Sequence, residues 1–268
     1  MTMLFTKKDG TTPILNLHLH AAAGKEPKNK RIYLTGAGDV RADLAIASSN
    51  TNSVSANIIK TPYDAPKGMW TVDLSLRMPG IAIVQATHGP DVALVSVQVD
   101  DRVVLPVREP FAMLAKLFLA ENLTPEQPGY SFSEVWLSMQ WMRIVLENRR
   151  SNPQKFFAAN GTLEAIVQAP GQFAGFTNYP TIGSDQQNLL LTILNRANDD
   201  EYPKQNAYAQ LVAAAVSIAT LPPATDPCPT GLYGWRMGGS SAPGGDLVAW
   251  QKKAGNQFYT LESKKKKK

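Results

Sequence analysis

The stretch "DRVVLPVREPFAMLAKLFLAEN", residues 101–122, changes period partway along. Upstream of it apolar residues recur at every second position, whereas from Phe111 onward Met113, Leu114, Leu117 and Phe118 follow the three-to-four spacing of a helix. The two patterns bury their apolar faces in different ways, one against a facing sheet and the other against neighbouring helices. The switch predicts a domain boundary near residue 105. Residues 1–105 form an all-β front, residues 106–261 a helical back, and residues 262–268 a Lys-rich tail.

In the front, Leu15, Leu17 and Leu19 alternate with Asn16, His18 and His20, and Trp70, Val72, Leu74, Leu76 and Met78 do the same. "IAIVQA" and "VALVSVQV" continue the pattern, with turn signals between the runs at "GKEPKNK", "TGAGD", "SSNTNS", "YDAPKG", "MPG" and "THGPD". About seven short strands with turns at this spacing predict an immunoglobulin-like β-sandwich. In the back, "SEVWLSMQWMRIVLENRR" is apolar on nearly all sides and predicts a central buried helix. Further helices are expected at "TLEAIVQA", "SDQQNLLLTILNRANDD" and "AYAQLVAAAVSIATL". From Pro222 to Gly245 the density of Pro and Gly predicts an irregular segment.

The formal charge of +5 lies in the tail. Of the 27 basic residues five are Lys264 to Lys268, and the remaining 22 balance the 22 acids. A neutral body offers no electrostatic footprint for nucleic acid, and the lysine run has the look of an appended tag. A single cysteine, Cys228, excludes an intrachain disulfide. No run approaches the ~20 apolar residues of a membrane span, and the N-terminus lacks the apolar core of a signal peptide. Synthesis in the cytoplasm is expected, with any export by another route.

All three histidines, His18, His20 and His88, fall in the β half. The helical half therefore has no Ser-His or Cys-His nucleophile and no His-containing zinc site. Neither a metal nor a cofactor is expected. Carboxylates remain as acid/base groups, and cleavage of a glycosidic bond is the chemistry they serve directly. Glu121 closes the first helix, since Asn122 and Thr124-Pro125 stop its pattern. There it faces the negative end of the helix dipole, and burial would add to a rise in pKa. Glu134 has the spacing of a capping box with Ser131, Glu126 sits in the "TPEQPG" loop, and Asp226 and Asp246 lie among later turns.

Five motifs in order resemble the SleB-like cell-wall hydrolases: "LAKLFLAEN", "MQWMRIVLENRR", "LEAIVQAPGQFAGF", "DPCPTG" and "GNQFYTL". The likeness spans roughly residues 108–261. It implies a lysozyme-like helical domain that cuts peptidoglycan glycan strands, with Glu121 as the catalytic glutamate and Gln172 and Phe173 in the substrate groove. The sequence departs from the family pattern where Cys228 and Pro229 lie within "DPCPTG", where Glu147 lies within "VLENR", and where Gln257 replaces a frequent His. Tyr179, Tyr233 and Trp235, with Phe176 and Trp250, are candidates for stacking on sugar rings.

The expected function is a muramidase, glucosaminidase or lytic transglycosylase acting on peptidoglycan. Glu121 alone serves a transglycosylase, while Glu126, Glu134 or Asp226 would be the second carboxylate of a hydrolase. Delivery as an antibacterial effector is the expected context, with the β domain as an adaptor to a secretion machine and an immunity protein as a further partner. Phage lysis is the other route to the cell wall or periplasm. The competing class is a non-catalytic module, on a lysozyme-like scaffold, that binds wall polymer or protein.

Overall fold

The computed structural model describes residues 2–21, 28–39, 44–59, 64, 67–152, 161–238 and 246–262. The chain divides into two compact units, Met1–Arg102 and Val103–Lys268. The Lys-rich tail from Ser263 onward lies outside the described residues.

The first unit holds β1 (Leu4–Thr6), β2 (Asn16–His20), β3 (Lys28–Thr35), β4 (Leu44–Ser48), β5 (Val54–Ile58), β6 (Met69–Leu76), β7 (Gly80–His88) and β8 (Asp91–Asp100). They form two four-stranded sheets, ordered β1-β3-β6-β5 and β2-β8-β7-β4. Pairing is antiparallel except between β2 and β8, where Asn16 to His20 run alongside Ser96 to Asp100. The period of two puts Trp70, Val72, Leu74 and Leu76 of one sheet and Val95, Val97 and Val99 of the other into a shared core. Gly89 and Pro90 make the two-residue loop between β7 and β8. Gly89 has φ +56°, the conformation that a type II′ hairpin turn demands of its first central residue. The stretch "GKEPKNK" is not all turn, because Lys28 to Lys30 begin β3.

The second unit contains α1 (Phe111–Ala120), α2 (Phe132–Ser151), α3 (Leu163–Gln168), α4 (Ser184–Ala197), α5 (Gln205–Thr220), β9 (Leu232–Met237), β10 (Leu247–Lys253) and β11 (Asn256–Leu261). The three strands form an antiparallel sheet in the order β10-β11-β9. The expected pairing of an immunoglobulin-like β-sandwich with a mainly α-helical lysozyme-like domain is therefore corrected. Among the described residues the chain is predominantly β in its organisation, with eleven strands in three sheets and five short helices. The sequence pattern missed the third sheet for a physical reason. Pro and Gly around residues 222–245 interrupt the alternation, and the strands are only six or seven residues long. Two of them are nonetheless buried, through Leu232 and Trp235 of β9 and Phe258 and Tyr259 of β11.

The two hydrophobic cores share no residue. Within the second, β11 contributes Phe258 alongside Leu117, Met139, Met142 and Leu232. Ending the chain at Met237 should remove Phe258 and Tyr259, each a loss of about 3–5 kcal/mol by analogy with large-to-small core changes. Amide hydrogen exchange should then show α1, α2 and α5 losing protection while β6, β7 and β8 keep theirs. Retained protection of the helices would mean that the third sheet is dispensable.

Candidate active site

Helix α1 is almost wholly internal, with Ala112 to Ala115 and Leu117 to Leu119 all buried. It ends at Glu121, whose N–H still donates to the Leu117 carbonyl. Helix ends leave carbonyls without partners. One is met here by Asn256 of β11, itself 2% exposed, whose Nδ2 donates to the Glu121 carbonyl at 2.9 Å. Next to it Asn122 donates to the Phe118 carbonyl at 2.9 Å. The end of α1 is thus clamped by two amide side chains.

The Glu121 side chain is half-buried. Burial raises its pKa above the ordinary 4.5, and one donor opposes the rise. That donor is Trp235 of β9, whose indole Nε1–H reaches Oε2 at 3.3 Å. No basic residue occupies the last turn of α1, so the helix dipole also disfavours the charged form.

Trp235 is held on its other side by Phe173, with ring centroids 4.9 Å apart and planes at 29°. Gln172, the neighbour of Phe173, accepts from Arg149 Nη1 at 3.2 Å. Arg149 Nε donates to the Tyr233 carbonyl of β9 at 2.7 Å. Burial pulls Arg149 down to about 10, so it remains charged at neutral pH. Asn148 donates to the Asp226 carboxylate at 2.6 Å and to the Leu232 carbonyl at 2.8 Å. Asp226 also accepts the backbone N–H groups of Cys228 and Leu232, both at 2.9 Å. Glu121, Trp235, Phe173, Gln172 and Arg149 thus form one connected row.

The other candidates are spent elsewhere. Asp226 staples a loop to β9 through the bonds just described. Glu126 pairs with Arg196. Glu134 pairs with Lys253 of β10 at 3.1 Å, and Ser131 makes no side-chain cap, so the expected capping box does not form. Tyr179 is buried, stacks on Phe176 and donates its hydroxyl to Glu109. Burial and the adjoining Glu109 carboxylate push that hydroxyl up. Tyr233 is half-buried on β9, and its carbonyl accepts from Arg149 Nε. Gln257 turns back to the carbonyls of Gln251 and Phe258. Asn256 escaped sequence reasoning, because an Asn at the head of a short strand carries no chemical signature before the fold brings α1 beside it.

Among the described residues no cluster of three or more His, Cys, Asp or Glu is placed to hold a metal ion. No described helix is long and apolar enough to cross a membrane. Two cavities in this unit measure about 410 Å³, beside Lys116 and Leu190, and about 120 Å³, beside Arg143. Glu121 lines neither.

No family model matches the chain, and no curated protein does. Solved structures give only partial likenesses. Domains 5–6 of the S-layer protein SbsC match at 12% identity and TM-score 0.27 over 37% of this chain and 43% of that one. The Yersinia pseudotuberculosis adhesin InvE matches at 14% and 0.24 over 33% and 25%. The M1 domain from titin matches at 8% and 0.22 over 41% of this chain and 100% of its own. The chain spans less than half the length of the S-layer chain, and overlaps this slight carry no argument about fold or function.

Two outcomes follow from the row of contacts. A carboxyl whose pKa is raised on folding binds more protons folded than unfolded, so its contribution to stability falls as pH rises from 4.5 through the raised value. Glu121→Gln should therefore match or exceed the parent in thermal midpoint at neutral pH and lose that advantage below pH 4.5; an advantage that grows on acidification would contradict the burial argument. Asp226→Ala, which strips the acceptor from two N–H groups and Asn148, should cost about 2–3 kcal/mol in urea unfolding.

Proposed function

We propose that the chain cleaves glycosidic bonds of peptidoglycan glycan strands, with Glu121 as the general acid and base. The observation that carries this reading is a half-buried carboxyl at the end of α1, raised by burial, met by one indole donor and still open to solvent on part of its surface. Such a group stays protonated at a higher pH than an exposed glutamate and can deliver its proton to the leaving oxygen of a sugar–sugar bond. Trp235 orients it. Gln172 lies along the same row and supplies a polar contact for sugar hydroxyls, while the resemblance of "APGQF" to the hydrolase motif supports its place in a groove.

The reaction needs either a second carboxylate or a nucleophile from the substrate. Glu126 is bonded to Arg196, Glu134 to Lys253, and Asp226 to Asn148 and two backbone N–H groups. This favours the transglycosylase form over hydrolysis. Glu121 first gives its proton to the leaving oxygen as the glycosidic bond breaks. It then takes the proton of a hydroxyl on the same sugar as that oxygen bonds to the anomeric carbon. The product is an anhydro sugar, and Glu121 is protonated again.

Digestion of purified sacculi with mass analysis of the products tests this directly. The parent should release anhydro muropeptides, one water lighter than hydrolysis products, and Glu121→Gln should be slower by about 10²–10⁴. Retention on sacculi without release of fragments would instead support the non-catalytic wall-binding reading.

The pH profile gives a second measurement. The active form at the first step is the protonated acid, so the rate should fall as pH rises through the raised pKa of Glu121. The Trp235 hydrogen bond lowers that pKa, so Trp235→Phe, which keeps a ring against Phe173, should move the alkaline limb to higher pH. A limb that stays in place would detach Trp235 from the titrating group.

A further inference from the structure

The two sheets of the first unit turn outward faces of different character. On the β1-β3-β6-β5 sheet the residues that alternate with the buried ones are Arg31, Asp73 and Asn57 in one row across the strands and Asn29, Ser75 and Ser55 in the next. All are polar, and Arg31 Nε bonds to Asp73 at 3.0 Å. On the β2-β8-β7-β4 sheet the same alternation turns Ile81 and Ile83 of β7 and Val92 and Leu94 of β8 outward, 62%, 42%, 50% and 53% exposed. Their strand neighbours Ala82, Val84, Ala93 and Val95 fill the core. Over this length β7 and β8 are apolar on both sides, the pattern of strands that are covered on both faces.

Register gathers these side chains into one patch. β7 and β8 are neighbours at the centre of the sheet, and their pairing sets Gln85 opposite Leu94 and Ile83 opposite Ser96, so Ile83 and Leu94 meet on the diagonal. On β4, Ala45 and Ala47 pair with Thr87 and Gln85 and extend the face without bulk. On β2, Asn16 and His18 pair with Ser96 and Gln98. From the row Ala45, Thr87, Val92 to the row Ile81, Gln98, His18 this face has no Lys, Arg, Asp or Glu. The first acid beyond it, Asp100, sits at the corner of the sheet, where Gln98 Nε2 donates to it at 2.8 Å.

The absence of charge selects the occupant. A face with ions at its middle meets its own like charges when it packs on a copy of itself about a two-fold axis, and a face without them has no such conflict. Gln85, Thr87 and Ser96 each carry both a donor and an acceptor, so each can bond to its own kind. A charged partner finds nothing here to pair with. The size also fits. Four strands about 4.8 Å apart, averaging about seven residues of about 3.3 Å each, present about 450 Å². Two such faces cover about 900 Å² in plan, and the relief of the side chains lifts the accessible area to about the 1,000 Å² at which a specific contact begins. That is the scale of a reversible contact.

We propose that the outward face of the β2-β8-β7-β4 sheet docks on the same face of a second copy of this chain, forming a reversible two-fold dimer with Ile83 and Leu94 near its centre. The surface is independent of the reading of Glu121 as an acid.

Sedimentation velocity of the full chain, over concentrations that bracket a micromolar Kd, tests this. The parent should pass from monomer to dimer as concentration rises. Ile83→Lys and Leu94→Lys, each at an exposed strand position, should keep the thermal midpoint and weaken the dimer at least about 10-fold, because each puts like charges into a closed contact. An equimolar mixture of Leu94→Lys and Leu94→Glu chains should regain association, since the charges that meet are then opposite. Asn57→Lys, on the outward face of the other sheet, should leave the dimer unchanged. If one lysine variant fails to fold, the other, on a different strand, gives the same readout. A parent that stays monomeric throughout overturns the proposal, whatever else covers the face. A dimer indifferent to both lysines, or weakened equally by Asn57→Lys, uses another surface and overturns it as well.

Discussion

The last turn of α2 holds the second unit's sheet in place through two adjacent side chains. Asn148 bridges the Asp226 carboxylate and the Leu232 carbonyl, and Arg149 bridges the Tyr233 carbonyl and Gln172. Both therefore grip β9 by its backbone, which leaves the β9 side chains free to point elsewhere. Trp235 lies two residues beyond Tyr233, so the grip sets where its indole falls. If the strand slipped by one residue, Trp235 would turn to the other face and Glu121 would lose its donor. The antiparallel ladder opposes such a slip, with Phe258 opposite Trp235 and Asn256 opposite Met237.

Glu121 is positioned from both of these strands at once. Trp235 on β9 meets its carboxylate, and Asn256 on β11 meets its carbonyl. The backbone contact fixes the helix end and the side-chain contact tunes the acid. Because Asn256 bonds to the main chain, any residue at position 121 would receive that bond. Only the indole contact depends on there being a carboxylate. This separation lets the helix end keep its clamp when the carboxylate is replaced.

Helices were the legible part of the sequence. The apolar run from Phe111 and the longer one through Trp141 put α1 and α2 where they are found, because each buries enough residues for the 3.6 period to show. The third sheet was not legible, since its strands are short and one is flanked by Pro229, Gly231 and Gly238. One local signal lost to a long-range contact. Glu134 has capping-box spacing, a strictly local signal, yet Lys253 from a strand more than a hundred residues away takes the carboxylate. Tyr179 likewise has the composition of a sugar platform but is internal, because Glu109 and Phe176 offer its two ends separate partners. Local patterns fix an element and leave the competition for a polar side chain open.

Glu147 brings these threads together. It is the residue that departs from the hydrolase-like motif, lying between Leu146 and Asn148 where the resemblance would join them directly. Arg149 faces β9, while Arg143 and Glu147 share the opposite stripe of the helix. There Glu147 makes itself useful as the shared partner of Arg143 and Arg150. A buried guanidinium with no such partner would face the full desolvation penalty, whereas one neutralised on a single edge can persist with its other donors unspent. Glu147 thus lets a guanidinium be buried on one side of α2, while Asn148 and Arg149 hold β9 on the other.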